Sequence, residues 1–203
     1  MVDKTKQTKR MKSFFINAGY DILLNEDLDN LTVRNIAKKA GYSYATIYNY
    51  FKDNNELMWS IGFKAVLEIA DHLSKYYKAN KNEKKGDELL KSTYKKYISY
   101  FLENKNVYQF IFFKQFNDIS LDEKNSPPVL FNLQQEMMKK CVDEGFLKLK
   151  DINLVGDLLT NSINGVLSLY FSGKENITEK DLYIKVDRYI DFLLKKEGEN
   201  KSD

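Results

Sequence analysis

The sequence predicts an all-α protein of about nine helices, with an N-terminal helix-turn-helix domain and a C-terminal helical bundle. Three observations carry this. Helix breakers are scarce: two prolines, adjacent at Pro127 and Pro128, and nine glycines in 203 residues. Apolar residues recur at three- and four-residue spacing along almost every segment. Capping residues and glycines fall where those runs begin and end.

The first helix is expected over about Thr5–Asn25, with Met11, Phe15, Ala18 and Ile22 on one stripe. Thr32 caps a second helix, and Leu31 and Ile36 have the spacing of a hydrophobic staple. Ile36, Ala37 and Ala40 continue its buried face, and Gly41 closes it because glycine enters the left-handed region at little cost. Ser43 then caps a third helix, and Tyr42 and Ile47 repeat the staple spacing. Two short helices joined by a glycine-containing turn form a helix-turn-helix motif, here residues 32–51.

A long fourth helix follows, to about Ala79, with Asp53 and Glu56 spaced as a capping box. Its stripe is Leu57, Ile61, Ala65, Ile69, His72 and Tyr76. The fifth helix, about Asp87–Glu103, points Leu90, Tyr94, Tyr97, Ile98 and Phe101 inward. VYQFIFFKQF is a short aromatic sixth helix, and Pro127 and Pro128 suit the first turn of a seventh that Gly145 closes. The eighth (153–172) and ninth (179–196, capped by Thr178) carry further stripes, and the tail 198–203 is expected to be disordered.

Composition bounds the function. A chain that is 43% hydrophobic and 30% charged can bury a sizeable core. The single cysteine, Cys141, excludes an internal disulfide and a cysteine-cage metal site. No secretory h-region and no span-length apolar run are present, so the expected location is cytoplasmic with no membrane partner. With one histidine and one cysteine far apart, no acid–base or nucleophile pair can be assembled, and no phosphate loop or metal spacing occurs. The expected protein is therefore not an enzyme and carries no cofactor. The net charge is +3, and residues 1–55 hold nine Lys/Arg against six Asp/Glu, while the remainder is balanced. That local excess suits either a polyanion partner or a solvated basic tail.

The stretch AGYSYATIYNYF holds four tyrosines around the turn glycine. Ile47 and Phe51 share one face of the third helix and belong to the core. Tyr44 with Tyr48, and Thr46 with Tyr50, lie on other faces beside Asn49 and Lys52. Phenols, hydroxyls and amides there can bond phosphates and base edges. Packing against neighbouring helices is the plainer reading for a tyrosine, and it is preferred for Tyr42.

LTVRNIAKKAGYSYATIYNYF followed by KDNNEL resembles the DNA-binding domain of the TetR family of transcriptional regulators. Thr32, Ile36, Ala37, Ala40, Gly41, Thr46, Ile47, Tyr48, Phe51 and Leu57 match the family pattern. The resemblance covers residues 9–69 in detail and 70–197 only in architecture, as an effector-sensing and dimerisation domain. The chain has Asp27 where the family usually has glycine, and Asn54 where it usually has a phosphate-contacting lysine. The resemblance implies backbone contacts from Thr32 and Arg34, and Tyr44, Ala45 and Thr46 in the major groove of double-stranded DNA. Tyr48, Asn49 and Tyr50 would straddle base edge and phosphate, and Ser43 and Lys52 complete the set. Lys9, Arg10 and Lys12 are further phosphate candidates.

The same resemblance implies a homodimer through 153–172 and 179–196, reading a palindromic operator and in most cases repressing. It also implies a small apolar or aromatic effector among helices four to eight. Tyr97, Phe101, Phe112, Phe113 and Phe116 are the candidates to line its pocket, against the plainer reading that they fill core. A helical dimeric interaction module with weak or lost specific DNA binding is the alternative function.

Overall fold

The computed structural model describes residues 4–114 and 129–194. Among these lie nine helices: α1 Lys4–Asn25, α2 Val33–Ala40, α3 Tyr44–Ile47, α4 Asn54–Asn80, α5 Gly86–Glu103, α6 Lys105–Phe113, α7 Val129–Asp143, α8 Ile152–Ser172 and α9 Glu179–Leu193. Two 3-10 turns, Leu28–Asn30 and Leu149–Asp151, join them, and the described residues contain no strand. Phe116, the proline pair and the C-terminal tail lie outside the described residues.

The helices divide into two compact units. The first holds α1 to α3, α4 up to Glu68, and α6. Its core is Phe15, Ile22, Leu23, Ile36, Ala37, Ile47, Phe51, Leu57 and Ile61, each almost wholly buried. The local devices work as their chemistry requires. Thr32 Oγ1 accepts the Asn35 N–H at 3.2 Å, and Ser43 Oγ accepts the Thr46 N–H at 3.3 Å. Gly41 sits at φ +80°, and the Tyr42 N–H reaches back to the Ala37 carbonyl at 2.9 Å. A Cβ on Gly19 of α1 would overlap Ile61 Cδ1, so the missing side chain lets α1 and α4 cross closely. In the same unit Asn106 of α6 donates to the Glu26 carbonyl at the end of α1, at 2.8 Å.

Three local expectations are corrected here. The third helix is shorter than its apolar pattern, because after Ile47 the backbone tightens to i+3 bonds, Asn49 N–H to Thr46 at 3.2 Å and Tyr50 N–H to Ile47 at 2.9 Å. Ile47 and Phe51 keep a common buried face through the Phe51 N–H bond to Ile47 at 3.0 Å. Asp27 is extended, φ −63° and ψ 142°, so the turn after α1 needs no left-handed residue and the missing glycine costs it nothing. At the start of α4, Asp53 accepts the Glu56 N–H at 2.9 Å, yet Glu56 answers to the Lys52 N–H at 2.6 Å, one residue outside the usual box.

The second unit holds α4 from Ile69 together with α5, α7, α8 and α9. α5 packs against α7 and α9, and α8 against the same two helices. Leu89, Leu90, Ile98 and Phe101 of α5 meet Met138 and Cys141 of α7, Leu159, Ile163 and Leu167 of α8 and Leu182, Val186 and Ile190 of α9 in one core. Lys95 pairs with Asp187 at 2.7 Å, and Lys91 pairs with Asp191 one turn on. Thr178 and Asp181 form a complete capping box at the head of α9. Gly86 lets α5 approach α7, since a Cβ there would lie 3.0 Å from Cys141 Cα. Burial pushes the Cys141 thiol up to about 12, which keeps it a neutral packing group at physiological pH.

On α4 the buried stripe continues through Leu73 and Tyr77, and His72 is exposed with its ring 5.5 Å from Tyr100. Four-residue steps thus persist to the end of the helix, whereas the sequence stripe steps by three at Ile69. On α8 and α9 the core takes Leu167, Leu182, Val186 and Ile190. The residues left on the surface are Leu154, Leu158 and Leu169 of α8 and Ile184 and Phe192 of α9.

Candidate nucleic-acid interface and ligand cavity

The helix-turn-helix divides its aromatic residues between support and presentation. Phe15 of α1 is the support, fully buried, with the Tyr42 ring edge-on at 5.5 Å and the Tyr50 ring at 6.0 Å. The Tyr42 hydroxyl also reaches Met11 Sδ at 3.7 Å, so Tyr42 packs. Tyr44 and Tyr48 are 57% and 48% exposed, and Tyr42, despite its ring contact with Phe15, is itself 42% exposed. Beside them Ser43, Ala45, Asn49 and Lys52 are exposed, as are Thr32 and Arg34 at the start of α2. Thr46 and Tyr50 are half-buried. The Thr46 hydroxyl lies 2.9 Å from Ser43 Oγ, so these two polar groups serve the start of α3 before anything else.

The charges beneath this surface are sorted in the same way. Lys12 Nζ sits 2.7 Å from Glu56 and 5.0 Å above the Phe51 ring, which makes it a bracing group between α1 and the start of α4. Burial raises the Glu56 carboxyl, but the bonds from Lys12 and the Lys52 N–H outweigh it and hold the group below its ordinary value. Lys39 is shared between Asp21 and Glu26, and the Asp21 bond leads in holding its ammonium above the usual lysine range. Arg34, Lys38 and Lys52 are exposed and form no ion pair among the described residues. The Lys12–Glu56 brace was not visible in the sequence, because it joins residues 44 positions apart.

The second unit contains a cavity of about 280 Å³ between the end of α4, α5, α7 and α8. Leu73, Tyr97, Phe131 and Met137 supply apolar wall. Thr93, Gln134 and Thr160 supply polar groups, and Asp157 and Asn161 stand at the exposed side. Gln134 Nε2 shares its two N–H donors among the Tyr94 hydroxyl (2.8 Å), Thr160 Oγ1 (2.8 Å) and the Gly156 carbonyl (3.0 Å). Gly156 makes room for it, since a Cβ there would lie 3.0 Å from Gln134 Oε1.

Of the aromatic residues singled out in the sequence, Tyr97 lines this cavity and donates to Asn164 at 2.8 Å. Phe101 lies edge-on to Tyr97 at 4.8 Å, buried behind it as core and not as lining. Phe112 and Phe113 belong to α6 in the first unit, where both are exposed and Phe113 edges a separate depression. Sequence reading missed Thr93, Gln134 and Thr160, which carry no local signal.

A short helix pair that buries Ile36, Ala37 and Ile47 and turns tyrosines and amides outward is a helix-turn-helix head, here joined to an all-helical body. Residues 15–61 match the family model for bacterial regulatory proteins, tetR family. No curated protein matches the chain by sequence. Solved structures share the whole fold. A TetR-family transcriptional regulator from Mesorhizobium loti superposes with a TM-score of 0.65 at 15% identity, over 92% of this chain and 96% of its own. The transcriptional regulator FadR from Bacillus subtilis, solved with stearoyl-CoA, gives 0.66 at 17% identity over 90% and 97%. A TetR transcriptional regulator from Rhodococcus sp. RHA1 gives 0.57 at 15% identity over 98% and 100%. The fold is TetR-like. No described helix is long and apolar enough to cross a membrane.

Proposed function

We propose that the protein is a homodimeric repressor that reads an inverted-repeat operator and leaves it when a small apolar or aromatic molecule fills the cavity of the second unit. The observation that carries the DNA-binding half is the split between buried Ile47 and exposed Tyr44, Tyr48 and Asn49 on one rigidly capped turn. Tyr44 and Asn49 are then the base-reading groups, Ala45 suits a thymine methyl, and Tyr48 anchors a phosphate. Thr32, Arg34 and Lys52 add backbone contacts, and Lys52 supplies the charge that Asn54 lacks.

Dimerisation is supported by Leu154, Leu158, Leu169, Ile184 and Phe192, apolar residues exposed on two adjacent packed helices. Regulation is supported by α4, one continuous helix that carries both Leu57 of the head core and Leu73 of the cavity. A ligand releases DNA only if it binds the released state more tightly, and a shared helix gives that preference a mechanical route.

The test is selection of random duplex DNA by the purified protein, with bound species sized by light scattering. Enrichment of an inverted repeat occupied by whole dimers supports this reading. No enrichment at low salt, where nonspecific attraction is strongest, replaces it with the helical interaction module.

A further inference from the structure

We infer that Tyr76 is a covalent modification site: a phenol at the turn between α4 and α5 that takes an acyl group from an activated acyl donor ahead of the more exposed tyrosines. The turn builds the site. Asn80 Nδ2, at the end of α4, donates to the Tyr76 carbonyl at 2.8 Å. The Asn80 carbonyl in turn accepts the Glu83 and Lys84 N–H groups, both at 3.1 Å. This folds the chain back on the last turn of α4, and Lys84 Nζ donates to the Tyr76 hydroxyl at 2.9 Å. Lys96 of α5 brings a second ammonium to 5.8 Å from the centre of the same ring. Neither lysine forms an ion pair among the described residues, so neither charge is spent on a carboxylate. Tyr76 stands beside the buried Leu73 and Tyr77 of α4 and is itself only half-buried.

Ammonium groups at a phenol oxygen favour the phenolate, which is the form that attacks an electrophile. Burial raises the Tyr76 phenol, but the hydrogen bonds from Lys84 and Ser92 and the charges of Lys84 and Lys96 outweigh it and hold the group below its ordinary value. At Tyr77, Tyr94, Tyr108, Tyr170 and Tyr183 burial prevails, and the phenol is pushed up instead. The step itself is acyl transfer. The Tyr76 oxygen attacks the acyl carbon and forms an ester C–O bond. The bond from that carbon to the leaving group breaks, the leaving group departs with the electron pair, and the phenol proton passes to water. Lys84 activates by charge and is not the base, because an ammonium has no lone pair to accept that proton.

The experiment treats the full-length protein with N-acetylimidazole at neutral pH, stops at low conversion, and assigns each acetylated residue by peptide mass mapping. Hydroxylamine cleaves the phenyl ester and spares a lysine amide, so the two products are told apart. Tyr42, Tyr44 and Tyr48 are the exposed tyrosines, and exposure alone would label them first. Tyr76 should instead be acetylated at least about threefold faster than any of the three, and Lys84→Met/Lys96→Met should remove that lead. Lys84→Arg, which keeps a charged donor, should retain most of it, and so separates activation from a folding artefact.

Earlier labelling of Tyr42, Tyr44 or Tyr48 overturns the inference, as does an unchanged Tyr76 rate in the double lysine variant. Recovery of the acyl group as a hydroxylamine-resistant amide on Lys84, with Tyr76 unmodified, overturns it too.

Discussion

Lys12 of α1 holds Glu56 of α4 at 2.7 Å, and the second oxygen of that carboxylate accepts the Lys52 N–H at 2.6 Å. One side chain thus ties the first helix to the turn that delivers α3 into α4. Glu56→Gln should cost about 1 kcal/mol, one charge-assisted bond discounted for a part-exposed site. Its folded carboxyl lies below the ordinary 4.5. The contribution is therefore fully present above pH 4.5 and is lost as pH falls below it. Urea melts of the wild type and Glu56→Gln should differ at pH 7 and converge in acid. A constant difference across that range would show that the charge does not contribute.

Gly19 sits where α1 and α4 cross. In an open helix, alanine would gain up to about 1 kcal/mol over glycine. Here the added Cβ would overlap Ile61 Cδ1 and crowd its Cγ1, so a fully buried side chain has to repack. Overpacking of this kind costs about 1–3 kcal/mol, so the net sign is destabilising. Thermal unfolding of Gly19→Ala should show a lower Tm, whereas a raised Tm would mean that the helices separate without cost.

Thr93→Val replaces an unpartnered buried hydroxyl by a methyl of the same shape. Without ligand it should stabilise the protein by about 1–2 kcal/mol, the desolvation cost removed. Chemical denaturation in ligand-free buffer reads this directly. A loss of stability would mean that the hydroxyl is satisfied in solution.

Leu158 and Phe192 are 44% and 70% exposed on α8 and α9. The double variant Leu158→Glu/Phe192→Glu should sediment as a monomer and lose operator binding, while its helical content stays that of the wild type. A dimer that survives both charges would move the interface off these helices.

The head was legible because its signals are local. Thr32, Gly41 and Ser43 each act on backbone within five positions, so their chemistry could be read from spacing alone. The end of α3 was not legible, because the tightening after Ile47 leaves the apolar pattern unchanged. Lys12 reads as one more basic residue until folding brings Glu56 to it. The cavity was half legible. Tyr97 stands out as an aromatic on a helical stripe, but its separation from Phe112 and Phe113 depends on α6 grouping with the head. Gln134 bonds residues 22 to 40 positions away, and no pattern along the chain marks such a residue.

The account rests on Tyr44 of α3 and Asn49 of the turn that follows it reading bases from one exposed surface. The measurement that tests this most directly is the affinity of Tyr44→Ala/Asn49→Ala for the selected operator and for a scrambled duplex, across a salt series. Both residues are exposed, so the variant should keep the wild-type melting temperature and dimer. The predicted result is an operator affinity that falls to the scrambled level with little change in salt slope, because base contacts go and phosphate contacts stay. An operator preference within about twofold of wild type would contradict it, and would place sequence reading elsewhere on the molecule.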